Sequence, residues 1–281
     1  AIIKMVKDSS EDDATKQNPH FTSYDSTQVI SYEVFKTDFS PYYWFSNDSL
    51  FFEKEVLLGK AYEDSIIQKN WKRNGNLKAI EFVTQKPNNN MLKKTRFFVN
   101  ADTLYELVAH MPKQSIDDES TKRFFDDFKI DNEIQPTIFT RRPEKLLTAL
   151  QSTYTVEFEK ALSALEQVEF IKEDLPLLHQ ALTKKYIKRK EDYRTVNERI
   201  VDELEKLANS STVAFISSNY KKLGKEREEL KYDLLQALSN IKTKEAYKIL
   251  KKLLLEDLPS TGDARNLGYS LRDSLELTKS L

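Results

Sequence analysis

One pattern recurs through the second half of the chain: leucine-rich stripes at helical spacing, each cut off after a few turns. Phe158, Ala161, Leu162, Leu165 and Val168 form one stripe, and Val196, Ile200, Leu204 and Leu207 a second. Val213, Ile216, Tyr220 and Leu223 form a third. Leu230, Leu234 and Leu238, joined by Leu235 and Ala237, form a fourth, and Ala246, Ile249, Leu250 and Leu253 a fifth. Residues three and four apart share a helix face, so every stripe has to be buried against a neighbour. Breaks at 173–176, 190–192, 209–211, Gly224, 242–243 and 260–263 keep the segments short, and short connections make neighbouring helices antiparallel. Helix pairs are then expected to begin near residues 155, 192, 226 and 264. That spacing, roughly 34–38 residues, lies near those of tetratricopeptide and HEAT-type repeats. The small and aromatic pattern of the tetratricopeptide unit is not reproduced, which favours HEAT-like pairs. The alternative is a helical bundle without repeats.

The tetrapeptide Glu-Asp-Leu-Pro closes two of these stretches, at 173–176 and 256–259. Asp174 is expected to cap a new helix with its carboxylate, and Pro176 to sit in the first turn, where a missing N–H costs nothing. After Pro259 the run Ser260-Thr261-Gly262-Asp263 predicts a longer loop, so the copies are similar without being equivalent.

The first half has a different texture. Residues 1–19 are polar, with Ser9-Ser10-Glu11-Asp12-Asp13, and are expected to form a tail or linker. Aromatic and β-branched residues take over from Phe21. Three strands are predicted, at Leu77–Gln85, 93–99 and 103–111, joined by the polar loop 86–90 and the tight turn Asn100-Ala101-Asp102. After Pro112, Ser115 with Asp118 gives a helix-start signal, and Phe124, Phe125 and Phe128 form one aromatic helix face. A helix on a small antiparallel sheet is an α+β layer arrangement. The segment 131–143, with Pro136 and Arg141-Arg142, is read as the linker, and Pro143 as sitting in the first turn of the next helix. The expected organisation is a tail at 1–19, an α+β domain at 20–135 and an α-helical repeat domain at 136–281, cut short at its C-terminal end. The start at Ala1 without Met, and the helical pattern running into residue 277, suggest a piece of a longer protein.

Composition excludes several functions. The 44 Lys+Arg against 45 Asp+Glu give a net charge of −1, so bulk charge does not mark a nucleic-acid binder. With no cysteine there is no disulfide framework, thiolate metal site or thiol nucleophile. Five scattered glycines form no phosphate-cradling loop. His20, His110 and His179 stand in no metal-ligand spacing, and no apolar run approaches the roughly 20 residues of a membrane helix. No cofactor is expected. Asp117-Asp118-Glu119 and Asp126-Asp127 supply oxygens for a hard cation, but read more simply as a solvated helix face. Two surfaces are candidates for binding. Tyr42, Tyr43 and Trp44 would form an aromatic platform for a sugar or peptide if exposed, and core if not. Lys184, Lys185, Lys188 and Arg189 belong to a basic run at 184–190, either an anion-binding patch or an exposed helix end.

The run Lys93-Lys94-Thr95-Arg96-Phe97-Phe98-Val99-Asn100, then Leu104-Tyr105-Glu106-Leu107, then Phe124-Phe125-Asp126-Asp127-Phe128, resembles uncharacterised bacterial envelope proteins. In these a PsbP-like α/β sandwich ends on such a helix. The stretch from Thr243-Lys244-Glu245-Ala246-Tyr247 to Pro259 is similar to helical repeats in the same proteins. The resemblance covers about 77–130 and 155–281 and carries no catalytic residue. It implies an exported or membrane-anchored protein, periplasmic or an outer-membrane lipoprotein, with any lipid-bearing cysteine upstream of residue 1; a cytoplasmic chain is the alternative. The functional expectation is a non-enzymatic scaffold for a protein or peptide partner. One alternative is a hydrolase or small-ligand-binding protein with a site joining the two domains. The other is a nucleic-acid or anionic-surface binder acting through 184–190.

Overall fold

The computed structural model describes residues 3–4, 21–186, 194–260, 264–272, 274 and 276. It is an α+β protein in two compact units, Ala1–Arg141 and Arg142–Leu281.

The first unit is built on one antiparallel sheet. Its strands are β1 (Ile3–Lys4), β2 (Phe21–Asp25), β3 (Ile30–Asp38), β4 (Ser65–Asn74), β5 (Leu77–Gln85), β6 (Met91–Asn100) and β7 (Thr103–Pro112). They lie in the order β1-β2-β3-β7-β6-β5-β4, so the meander β4 to β7 is extended by β3 docking on β7. Residues 3–4 thus form a strand rather than tail. The rest of the polar stretch 1–19 lies outside the described residues.

Helix α1 (Asp48–Gly59) covers one face of the sheet. Asn47 caps it, its Oδ1 accepting from the Leu50 N–H at 3.0 Å. The helix buries Phe51, Phe52 and Val56. The aromatic run before it packs beneath: Phe39 stacks on Tyr43 at 5.0 Å, and Phe51 meets Phe39, Phe45, Phe52 and Phe139 edge-on. Helix α2 (Glu119–Asp126) covers the other face, against Leu77, Ala79, Leu92, Phe98, Leu107 and Met111. It starts at N-cap Asp118, later than the Ser115 signal suggests. Lys113–Ser115 form a 3₁₀ turn, and the Ser115 carbonyl accepts from Thr121 Oγ1 at 3.1 Å.

One buried ion pair holds α2 to the sheet. Arg96 and Glu81 are 3% and 7% exposed and lie opposite each other on β6 and β5. Arg96 Nε and Nη2 donate to Glu81 Oε2 at 2.9 and 2.6 Å. Its Nη1 donates to the Phe125 carbonyl at 2.7 Å, and Nη2 also reaches Asp126 Oδ1 at 2.8 Å.

The second unit is all helix: α3 (Pro143–Ala149), α4 (Thr155–Leu165), α5 (Leu175–Leu182), α6 (Val196–Leu207), α7 (Ser210–Asn219), α8 (Glu228–Ile241), α9 (Lys244–Glu256) and α10 (Ala264–Arg272). Each stripe predicted above lies within, or ends just beyond, one of these helices. Helices two places apart pack on one another, α3 on α5, α5 on α7, α7 on α9, α6 on α8 and α8 on α10, and consecutive helices also meet at α3–α4, α5–α6 and α8–α9. Cross-links join helices two places apart. Asn240 on α8 donates to Glu205 on α6 at 2.8 Å, and Gln236 donates to Ser270 on α10 at 2.7 Å.

The two Glu-Asp-Leu-Pro copies do different work. Asp174 stands at the start of α5, but its carboxylate accepts from the Ile171 N–H behind it, at 2.9 Å, and makes no cap bond to α5. Asp257 follows the end of α9. Its carbonyl accepts from Tyr220 Oη at 2.9 Å and its carboxylate takes the buried ammonium of Lys231 at 2.8 Å. Removing Asp257 strands that ammonium, whereas removing Lys231 leaves a partly solvated carboxylate. Asp257→Ala is therefore expected to cost about 2–4 kcal/mol in urea unfolding, and Lys231→Met clearly less.

Candidate functional site

Of the residues singled out by sequence, Tyr42, Tyr43 and Trp44 are core. They are only 7, 6 and 1% exposed, so no aromatic platform is formed. The cost of leaving three aromatic rings in water decides this: α1 and the segment around Ile138 close over them, with Phe45 N–H donating to the Ile138 carbonyl at 2.6 Å. Lys184 and Lys185 stand just beyond α5, while Lys188 and Arg189 lie outside the described residues. The acidic runs are engaged locally: Asp118 is the α2 N-cap, Asp126 pairs with Arg96, and Asp127 pairs with Arg123 at 3.4 Å. Among the described residues no group of three or more His, Asp or Glu is placed to hold a metal ion. His179 stacks flat on Phe215 with ring centres 4.4 Å apart and bonds Thr212 at 3.2 Å. His110 lies on the sheet, 3.9 Å from Glu33. His20 lies outside the described residues.

Lys184 and Lys185 nevertheless border a cleft of about 260 Å³ within the helical unit. Its walls come from three helix ends. The chain after α5 contributes Lys184, Lys185 and Tyr186; the start of α6 contributes Thr195, Val196 and Asn197; the start of α8 contributes Glu226, Arg227, Glu229, Leu230 and Asp233.

Local chemistry fixes each wall. Arg227 gathers the open C-terminal carbonyls of α5, its Nη2 donating to Leu182 at 2.6 Å and Lys184 at 3.2 Å, which offsets the unsatisfied groups every helix end leaves. Tyr186 donates to the Ala181 carbonyl at 3.0 Å, and burial pushes its hydroxyl up to about 12, so it is a donor at any physiological pH. Thr195 and Glu198 form a capping box at the start of α6: the Glu198 N–H donates to Thr195 Oγ1 at 3.1 Å, and the Thr195 N–H to Glu198 Oε2 at 2.5 Å.

Two acceptors in this cleft are left wanting. Asn197 Oδ1 is buried without a hydrogen-bond partner among the described residues. Asp233 likewise has no hydrogen bond or salt bridge among them. Burial raises its carboxyl to about 7, and the negative charges of Glu198, Glu229 and Asp202 add to the rise; Arg194, itself paired with Asp202 at 2.5 Å, offsets it only in part.

Neither a protein-family model nor a curated protein sequence matches the chain. Reading of the site therefore rests on its own chemistry. Sequence pattern pointed to one wall, the lysines after α5. It gave no sign of Asn197 or Asp233, which sit in separate helices and meet only through the α6–α8 packing. The one signal available was Asp233 itself, an acid next to Leu234 at the edge of an otherwise leucine-lined stripe.

Proposed function

We propose that the chain is a non-enzymatic binding scaffold that takes a cationic side chain of a protein or peptide partner into the cleft between α5, α6 and α8. One observation carries this reading: a carboxylate without a salt bridge and an amide oxygen without a donor, both among the described residues, line the same cavity. A lysine, an arginine or an amino terminus supplies both missing elements at once, a positive charge for Asp233 and N–H donors for Asn197 Oδ1. Tyr186, Val196 and Leu230 offer apolar surface to its aliphatic stem. Lys184 and Lys185 on the rim suit an acidic neighbour in the same partner.

The finer architectural reading belongs to the same proposal. The first unit is a PsbP-like module and the second a run of HEAT-like pairs, in a protein of the bacterial envelope with a lipid anchor upstream. Support for HEAT-like stacking is the packing of alternate helices on one another, α3 on α5, α5 on α7, α7 on α9, α6 on α8 and α8 on α10. The envelope assignment is supported by the resemblance alone. No helix among the described residues is long and apolar enough to cross a membrane.

A photo-crosslinking residue at exposed position 185 tests the binding reading. In envelope extract it is expected to give a discrete adduct that free lysine amide competes away and that Asp233→Lys abolishes. An adduct insensitive to both would remove the cleft from the interaction, and absence of any adduct would remove the scaffold reading.

A further inference from the structure

Strand β4 ends the sheet, and among the described residues it pairs only with β5. One side of a ten-residue strand therefore presents unpaired backbone N–H and C=O groups, a template for a further strand. Its sequence, Ser-Ile-Ile-Gln-Lys-Asn-Trp-Lys-Arg-Asn, holds three cations and no acid. The register Lys69↔Phe82, Trp71↔Ile80 and Arg73↔Lys78 puts Lys69, Trp71 and Arg73 on the α1 face, and Gln68, Asn70 and Lys72 on the other. Lys69 is paired with Glu53 at 2.6 Å, and Lys78 with Asp48 at 2.9 Å while its ammonium lies over the Trp71 ring. Lys72 and Arg73 have no ion pair among the described residues.

Charged residues and the bulge between Ile66 and Gln68 are familiar means of keeping an edge from pairing indiscriminately. They do not account for Ile67 and Trp71, which stay 50 and 45% exposed on the same strand. Exposed apolar side chains beside an open ladder favour an incoming strand. The ladder groups select polypeptide over nucleic acid. Cations alone select its charge. A second copy of β4 laid antiparallel on the first would bring Lys69, Lys72 and Arg73 against one another, which like-charge cross-strand pairs disfavour.

We infer that β4 is a strand-addition site for an extended acidic segment of a partner polypeptide, in which Asp or Glu meets Lys72 and Arg73 and apolar residues cover Trp71 and Ile67. This surface lies in the first unit and is independent of the helical cleft.

The test uses the full chain and a rhodamine-labelled ten-residue Glu/Val peptide built on a Glu-Glu-Val-Val repeat, which sets adjacent Glu residues against Lys72 and Arg73 and Val against Trp71, with the Lys-Lys-Val-Val counterpart, the Lys/Val peptide, as control. Saturable anisotropy binding of the Glu/Val peptide is expected, weakened by salt and absent for the control. Amide exchange along 65–74 is expected to slow on binding. Lys72→Glu with Arg73→Glu is expected to weaken binding about tenfold or more. Lys72→Gln with Arg73→Gln serves if the reversal unfolds the unit, with a smaller loss in the same direction. Four results would overturn the inference: no saturable binding, equal binding of the Lys/Val peptide, binding without slowed exchange in β4, or concentration-dependent self-association through β4.

Discussion

Arg96→Ala is expected to be among the most damaging single substitutions in the first unit, costing about 3–5 kcal/mol in urea or thermal unfolding. Three partners lose their donor together: the Glu81 carboxylate, the Phe125 carbonyl and Asp126. Glu81 would stay buried with only Lys94 beside it, at 3.2 Å. A buried carboxylate that loses both guanidinium hydrogen bonds and keeps a single ammonium is only partly compensated, and in a dry site that deficit costs more than the ion pair itself contributes. The corollary separates this explanation from simple loss of packing. Arg96→Met combined with Glu81→Leu and Lys94→Met removes all three charges of the cluster and fills the space, and is expected to recover most of the stability lost in the single variant. Because Arg96 also bonds the end of α2, amide protection in α2 is expected to fall first in Arg96→Ala. If the triple variant were as unstable as the single one, the buried charge would not be the cause.

Much of the second unit was legible because its stripes are long and its breaks are chemically explicit. Pro143 stands as the first residue of α3, and Thr243, at a break marked in the sequence, caps α9 through its hydroxyl; the break at 190–192 lies outside the described residues. The first unit was half legible. Strands β5, β6 and β7 read clearly because they sit at the centre of the sheet and are largely buried, with long apolar stretches such as Phe97-Phe98-Val99 and Leu107-Val108-Ala109. Strands β2, β3 and β4 did not. In β3 the run Ser-Tyr-Glu-Val-Phe-Lys mixes charges into a strand whose faces are only half covered, and β4 is so exposed that it carries the composition of a loop. Helix α1 was hidden for a related reason: Leu50, Leu57 and Leu58 on its outer side are as apolar as the buried Phe51, Phe52 and Val56, so no amphipathic period marks it. Aspartates misled where two roles were open. Asp174 turned back to Ile171, and Asp257 served tertiary contacts, although both follow the same residue in the same tetrapeptide. The cleft was least legible, because a site assembled from three helix ends has no linear signature.

Asp233→Asn is expected to raise the stability of the second unit at pH 8 by about 2–4 kcal/mol, the scale set by a carboxyl moved from 3.8 to about 7. The sign follows from which state holds the proton. The folded chain binds it more tightly than the unfolded chain, so this carboxyl's contribution is fully present below about pH 4 and is lost as pH rises through about 7. Wild type is thus expected to lose stability across that window, and the variant to lose less. Glu203 and Glu205 on α6, also raised by burial, keep some slope in both proteins. His179, held below its usual value by burial, works the other way, withdrawing stability as pH falls below the usual histidine range. The cation binding proposed for the cleft is expected to have the opposite pH dependence. A cation binds only the ionised Asp233, so its affinity is expected to fall as pH drops below 7, and binding near pH 7 is expected to release a proton, visible as a buffer-dependent heat in calorimetry. Asp233→Asn would then be more stable and unable to bind a lysine side chain, the trade expected of a residue kept for its site rather than for the fold. A variant that gained stability and still bound the cation would show that the carboxylate serves neither.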